Sequence, residues 1–260
     1  MTSLQITKRD DGIVVVCLNE PEALNALGEA QKHKLLDALN EIDGDESIRV
    51  VLLTASGRAF SAGGDVREMG AVTAAQAMGR VTLGNLIIEK IVSMRQIVVA
   101  GVNGLASGAG FNLALASDII IADKSAWFQQ SFIQIGLAPD MGGTFLLAQQ
   151  LGWHRAKEAI LTGRRFTSDE AHELGFVAEV IDGDFREEAL RYCGTLASRP
   201  PLALWMAKSV INAAAASALH AALVAEASAQ GILSASDDHK RAVEAFQSKQ
   251  DIAGVTFEGR

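Results

Sequence analysis

Cysteine is scarce: Cys17 and Cys193 are the only two among 260 residues. That excludes a disulfide framework and a cysteine-built structural zinc site. Cys17 lies inside an apolar, strand-like run and reads as a small core residue. Dense Lys/Arg blocks are absent and the formal net charge is -8. The chain is therefore not expected to use nucleic acid or an anionic membrane as its main partner. No apolar run approaches the roughly 18 residues of a membrane-spanning helix. The opening MTSLQITKRDDG puts charges where a signal peptide has its apolar region, so a cytoplasmic location is expected.

Familiar catalytic motifs are missing too. Gly108-Ala109-Gly110 would need glycine at position 113 for the dinucleotide fingerprint, and Leu113 stands there; no GxxxxGK[ST] occurs. Ser107 lacks the GxSxG frame of a hydrolase nucleophile because Leu105 holds the place of the first glycine. His33, His154, His172, His220 and His239 fall on polar or helical stretches without metal-ligand spacing. They are expected as surface imidazoles, and no metal site is expected.

What is present is an alternation of strand-like and helix-like stretches. Hydrophobic residues at 49% and charged residues at 21% supply both a core and a solvated surface. Ile13 to Leu18, Val50 to Thr54, Ile97 to Val99 and Asp118 to Ala122 are short, apolar and rich in β-branched residues, as buried strands are. Leu35, Leu36, Leu39 and Ile42 mark a helix that Gly44 stops. A longer amphipathic stretch runs from about Thr73 to Met94, and Thr167 with Glu170 predicts a capped short helix ending at Gly175. Strands separated by helices predict an α/β fold with crossover connections. After Pro200-Pro201 the chain is alanine-rich and helical in period. Residues 1–198 are thus expected to form the α/β core and residues 199–260 a helical C-terminal region.

Two turns of small residues, Ser61 to Gly64 and Ser107 to Gly110, stand out. The second sits at a strand-to-helix junction, where unpaired backbone N–H groups suit an anion, although such glycines also serve tight packing. Two N–H groups converging from separate turns make an oxyanion hole, which stabilises a carbonyl oxygen gaining charge. Asp140 stands among Ile133, Leu137, Met141 and glycines in an irregular stretch, Trp127 to Gly143. If those neighbours surround it, desolvation raises its pKa and suits it to carry a proton; the competing reading is a turn residue after Pro139. Asp65 suits a helix cap.

Several motifs in combination resemble the crotonase superfamily, also called enoyl-CoA hydratase/isomerase. They are Asn19-Glu20-Pro21-Glu22-Ala23-Leu24-Asn25-Ala26, Phe60-Ser61-Ala62-Gly63-Gly64-Asp65, Val102-Asn103-Gly104 with the glycine turn, Ser117-Asp118-Ile119, Gly136 through Thr144, and Leu161-Thr162-Gly163. The resemblance covers nearly the whole chain. It implies a spiral of ββα turns with a C-terminal helical trimerisation module, trimers often pairing into hexamers. It also implies an acyl-CoA thioester substrate, with coenzyme A as part of the substrate and no permanently bound cofactor. By position it puts the oxyanion donors at Gly64 and Ala109, and the CoA path along Glu22, Ala23, Leu24 and Ala62.

The departures from the family's hydratases concern the acids. Their two glutamates correspond here to Asn112 and Phe132, neither of which does general acid/base work. Asp140 corresponds to the acid of the family's double-bond isomerases. The expected activity is therefore enoyl-CoA isomerisation with Asp140 as a single proton shuttle. Enoyl-CoA hydration is the alternative, and a noncatalytic acyl-CoA binder the alternative outside enzymes. Asn112, Trp127, Phe132 and Met141 are expected to line the acyl pocket. Arg58 and Lys249 are candidate cations for the CoA phosphates.

Overall fold

The computed structural model describes residues 3–69, 73–248, 250 and 254–259. Two sheets and the helices between them form an α/β spiral. The larger, six-stranded sheet contains β1 (Leu4–Lys8), β2 (Ile13–Leu18), β3 (Val50–Ala55), β5 (Ile97–Val102), β7 (Ile119–Asp123) and β10 (Glu179–Ile181), in that spatial order. β1 is antiparallel to β2, and the remaining pairs are parallel. A four-stranded sheet orders β4 (Ala59–Ser61), β6 (Leu105–Ser107), β8 (Trp127–Gln129) and β9 (Arg165–Thr167).

The chain climbs between these sheets one step at a time. β3, β5 and β7 each pass directly into a strand of the small sheet, β4, β6 and β8 respectively. Each strand pair is followed by a helix: α2 (Ala74–Ser93), α3 (Ala109–Leu115) and α4 (Gly143–Thr162). Parallel neighbours need such crossovers, and repeating one gives the spiral. Because side chains alternate along a strand, the large sheet serves two cores. Val14, Val16, Val51, Leu53, Val98 and Ala100 face the main core with α1 (Glu29–Asp43) and α2. Ile13, Val50, Leu52, Val99 and Ile121 face α6 (Phe185–Ala197) through Ala189, Cys193 and Ala197. Cys193 is buried there, and burial pushes its thiol up to about 12. Cys17 is only half-buried, on the sheet's second face.

The expected helix stop at Gly44 and the caps at Asp65 and Thr167 are present: Asp65 accepts from the Arg67 N–H and Thr167 from the Glu170 N–H. Thr167 begins α5 (Ser168–Glu173). Trp127 to Gly143, expected to be irregular, contains β8 and a 3-10 turn at Phe132–Ile135. A three-residue strand is too short to show a period, which is why the small sheet escapes a pattern reading. The C-terminal helices α7 (Pro201–Ala213), α8 (Ala216–Ser234) and α9 (Asp237–Gln247) pack back onto the spiral. Lys208 of α7 is buried, donating to the Ile91 and Gln96 carbonyls and pairing with Asp118 at 2.8 Å. Asn85 of α2 donates to the Leu223 carbonyl of α8. Among the described residues no single helix is long and apolar enough to cross a membrane.

Candidate active site

Parallel pairing of β4 with β6 sets their C-terminal ends side by side, so the two glycine turns meet. Gly63 has φ +93, and a Cβ on it would lie 2.8 Å from the Ser107 carbonyl oxygen and 3.3 Å from the Ala109 nitrogen. A Cβ on Gly110 would lie 2.6 Å from the Cβ of Ser61. Real side chains do not approach so closely, so glycine is required where these turns touch. Ala109 is the first residue of α3, where a backbone N–H has no partner within the helix. Among the described residues the N–H groups of Gly64 and Ala109 have no acceptor. Both residues border one cavity of about 150 Å³.

The loop carrying Asp140 enters the same cavity from the other side. Its backbone is held at several points. The Asn112 side chain donates to the Asp140 carbonyl at 2.8 Å, and Gln130 donates to the Asn112 side-chain oxygen at 2.7 Å. From α8, Gln230 donates to the Ala138 carbonyl at 2.6 Å. Glu226 accepts from the N–H groups of Gly142 and Thr144 at 2.7 and 2.9 Å and from the Thr144 hydroxyl. From α9, the His239 Nδ1 donates to the Ile135 carbonyl at 2.6 Å. Asp140 itself is buried, and the Oδ1 of its carboxyl group has no hydrogen-bond partner among the described residues. Burial lifts its pKa from 3.8 to about 6, with the charge of Lys32 and a hydrogen bond from its own backbone N–H opposing the rise.

The other residues singled out in the sequence are placed as follows. Phe132 and Ala62 border the cavity. Asn112, Trp127 and Met141, expected in its wall, do not border it. Asn112 is wholly buried and spent on the loop, Met141 is wholly buried against Gly84, and Trp127 stacks under Arg165 at 4.1 Å. Glu22, Ala23 and Leu24 also lie outside the cavity wall. Leu24 accepts from the Ala62 N–H, and Gly63 from the Leu27 N–H, so this segment braces the first glycine turn. Buried Asn25 fixes it further, donating to the Ser56 and Ala59 carbonyls. Arg58 is exposed beyond β3, and Lys249 falls outside the described residues.

Pattern reading passed over several groups at the site. His239 is buried and borders the cavity, contrary to the surface role expected of it, because its ring turns inward to Ile135. Lys32 also borders the cavity and is buried; desolvation lowers its pKa. Burial raises Glu226 to about 7 despite its donors. Lys32 and His239 lie on amphipathic helices, where one polar residue among many gives no sign of facing inward, and Glu226 is a lone carboxylate on the alanine-rich α8.

Two amide donors without acceptors and one buried carboxyl border a single cavity, an arrangement chemically suited to proton transfer beside a polarised carbonyl. The chain belongs to the enoyl-CoA hydratase/isomerase family, whose model matches residues 8–255. Among curated relatives, it is 33% identical over 246 residues to the 1,2-epoxyphenylacetyl-CoA isomerase of Escherichia coli K12, covering 93% of this chain and 94% of that one. It is 38% identical over 245 residues to a probable enoyl-CoA hydratase of Rhodobacter capsulatus, covering 92% and 93%. A crystal structure of an enoyl-CoA hydratase from Mycobacterium avium subsp. paratuberculosis superposes with a TM-score of 0.87 at 31% identity, covering 94% of this chain and 99% of that one.

Proposed function

We propose that this protein is an enoyl-CoA isomerase that moves the double bond of a 3-enoyl thioester into conjugation. The observation carrying the proposal is the buried carboxyl of Asp140, its Oδ1 without a hydrogen bond, in a residue that borders the cavity Gly64 and Ala109 share. Ionised Asp140 removes a proton from C2. The electron pair shifts into the thioester carbonyl, whose oxygen develops negative charge and is held by the Gly64 and Ala109 N–H groups. Protonated Asp140 then returns the proton at C4, and the double bond settles between C2 and C3. A carboxyl titrating at about 6 suits both halves of the cycle, because it gains and loses a proton readily near neutral pH.

Hydration needs acid/base groups where this chain has Asn112 and Phe132. The amide of Asn112 is already committed to Asp140 and Gln130, and Phe132 has no proton to give. The hydratase names among the relatives keep water addition as the second reading. A screen of 3-enoyl and 2-enoyl thioesters tests the choice: double-bond migration supports isomerisation, and dominant formation of 3-hydroxyacyl product overturns it. The protein is further proposed to work as a trimer or hexamer, supported by the apolar side chains that α7 leaves uncovered.

A further inference from the structure

Two cations border the cavity unused by the proton shuttle, Lys32 and Arg80, and Lys32 is the buried one. Lys32, on the first turns of α1, is 8% exposed, and its ammonium makes one hydrogen bond, to the Arg80 carbonyl at 3.2 Å. An ammonium has three donors, so two face no protein acceptor among the described residues. The charged neighbours do not take them up. Glu68 accepts from the Glu29 N–H at 3.1 Å, Arg80 donates to the Glu68 carbonyl, and Glu29, although at the i,i+3 spacing that brings helix side chains together, makes no hydrogen bond with Lys32 among the described residues. Asp140 attracts Lys32 electrostatically, but no ion pair within 4.0 Å joins Lys32 to any acid among the described residues. Two residues bordering the cavity thus carry incompletely bonded polar groups, the Lys32 ammonium and the Asp140 Oδ1.

Much of the surrounding wall is apolar, with Leu27, Ala77, Val81, Phe132 and Leu137. A purely hydrocarbon acyl chain filling this space would strip water from the ammonium and offer no acceptor, which is costly for a buried charge. An oxygen on the acyl chain removes that cost by accepting from Lys32. We infer that the preferred substrates are enoyl-CoA thioesters whose acyl group bears an oxygen substituent, bound through a hydrogen bond from Lys32. This rests on the reading that the cavity receives the acyl group of a CoA thioester, and it makes Lys32 a specificity-determining residue. A hydroxyl can also donate to Asp140, whereas a carboxylate meets the ammonium as a counterion.

The test compares 3-hexenoyl-CoA with 6-hydroxy-3-hexenoyl-CoA and the CoA monothioester of 3-hexenedioic acid, using wild type, Lys32→Met and Lys32→Gln. Calorimetry on hexanoyl-CoA, 6-hydroxyhexanoyl-CoA and adipoyl-CoA gives affinities independent of turnover. Wild type is expected to favour one oxygenated ester over the plain one by about tenfold or more in kcat/KM and in affinity, as a hydrogen bond to a buried charge implies. Lys32→Met erases that preference, and Lys32→Gln retains part of it. Which ester is favoured identifies the substituent. Equal loss on all esters would show Lys32 to be only a counterion of Asp140 and would overturn the inference, as would the absence of a preference in wild type. Isomerisation of the plain ester without any preference removes the inference and leaves the isomerase proposal standing. Lys32-dependent binding of an oxygenated ester with no isomerisation of any does the reverse.

Discussion

Asp140 makes opposite demands on stability and catalysis. Its folded pKa, about 6, lies above the ordinary 3.8, so folding favours the protonated form. The stability this gives is present below pH 3.8 and is lost as pH rises through about 6. Asp140→Asn should therefore be more stable than wild type at pH 7 by about 1 to 3 kcal/mol. The gap should close near pH 4, which denaturant melts across that range will check. Turnover should show the other sign: kcat/KM of wild type should fall roughly tenfold per pH unit below about pH 6, since the base must be ionised. Asp140 stands out in the sequence as a lone acid among apolar residues and glycines. Lys32 and His239 do not, because only the tertiary packing of α1 and α9 decides which polar residue of a helix turns inward.

At the scale of elements, the site depends on two junctions. The first is the contact of the glycine turns. Gly110→Ala would press a methyl against Ser61, where the added carbon has 2.6 Å of room. A loss of about 1 to 3 kcal/mol in stability is expected from overpacking, with a larger fractional loss of kcat because Gly64 and Ala109 are moved apart; melts and initial rates on one preparation measure both. The second junction is Glu226 of α8 with the start of α4. Glu226→Ala leaves the Gly142 and Thr144 N–H groups without their acceptor, which costs about 2 to 4 kcal/mol. Activity should fall with it as the Asp140 loop loosens. The glycine turns were legible because glycine announces close approach and positive φ. The Glu226 junction joins positions distant in the chain, and a single carboxylate on an alanine-rich helix carries no mark of its partner.

For the whole molecule, the alternation of strands and helices was readable from β2, β3, β5 and β7, which are apolar-rich runs, whereas β1 (LQITK) and β10 (EVI) carry no such run. The second sheet was not, because β4, β6, β8 and β9 are three residues each. The helical character after Pro201 was also readable, while its packing was not: Lys208 is buried and α8 clamps the Asp140 loop. On α7, Leu202, Met206 and Val210 recur at four-residue spacing, exposed by 65%, 46% and 66%. An apolar stripe of this kind suits a second copy of the chain. Light scattering should report a trimer or hexamer, and Val210→Glu should shift it toward smaller species.

The central claim is that one carboxylate moves one proton across the acyl chain. The most direct measurement follows 3-hexenoyl-CoA with wild type and Asp140→Asn, quantifying the conjugated 2-enoyl ester and any 3-hydroxyacyl ester together. Wild type should form the 2-enoyl ester first and predominantly, and Asp140→Asn should be slower by about 10²- to 10⁴-fold. Near-normal isomerisation by Asp140→Asn, or a wild type that mainly adds water, would contradict the account.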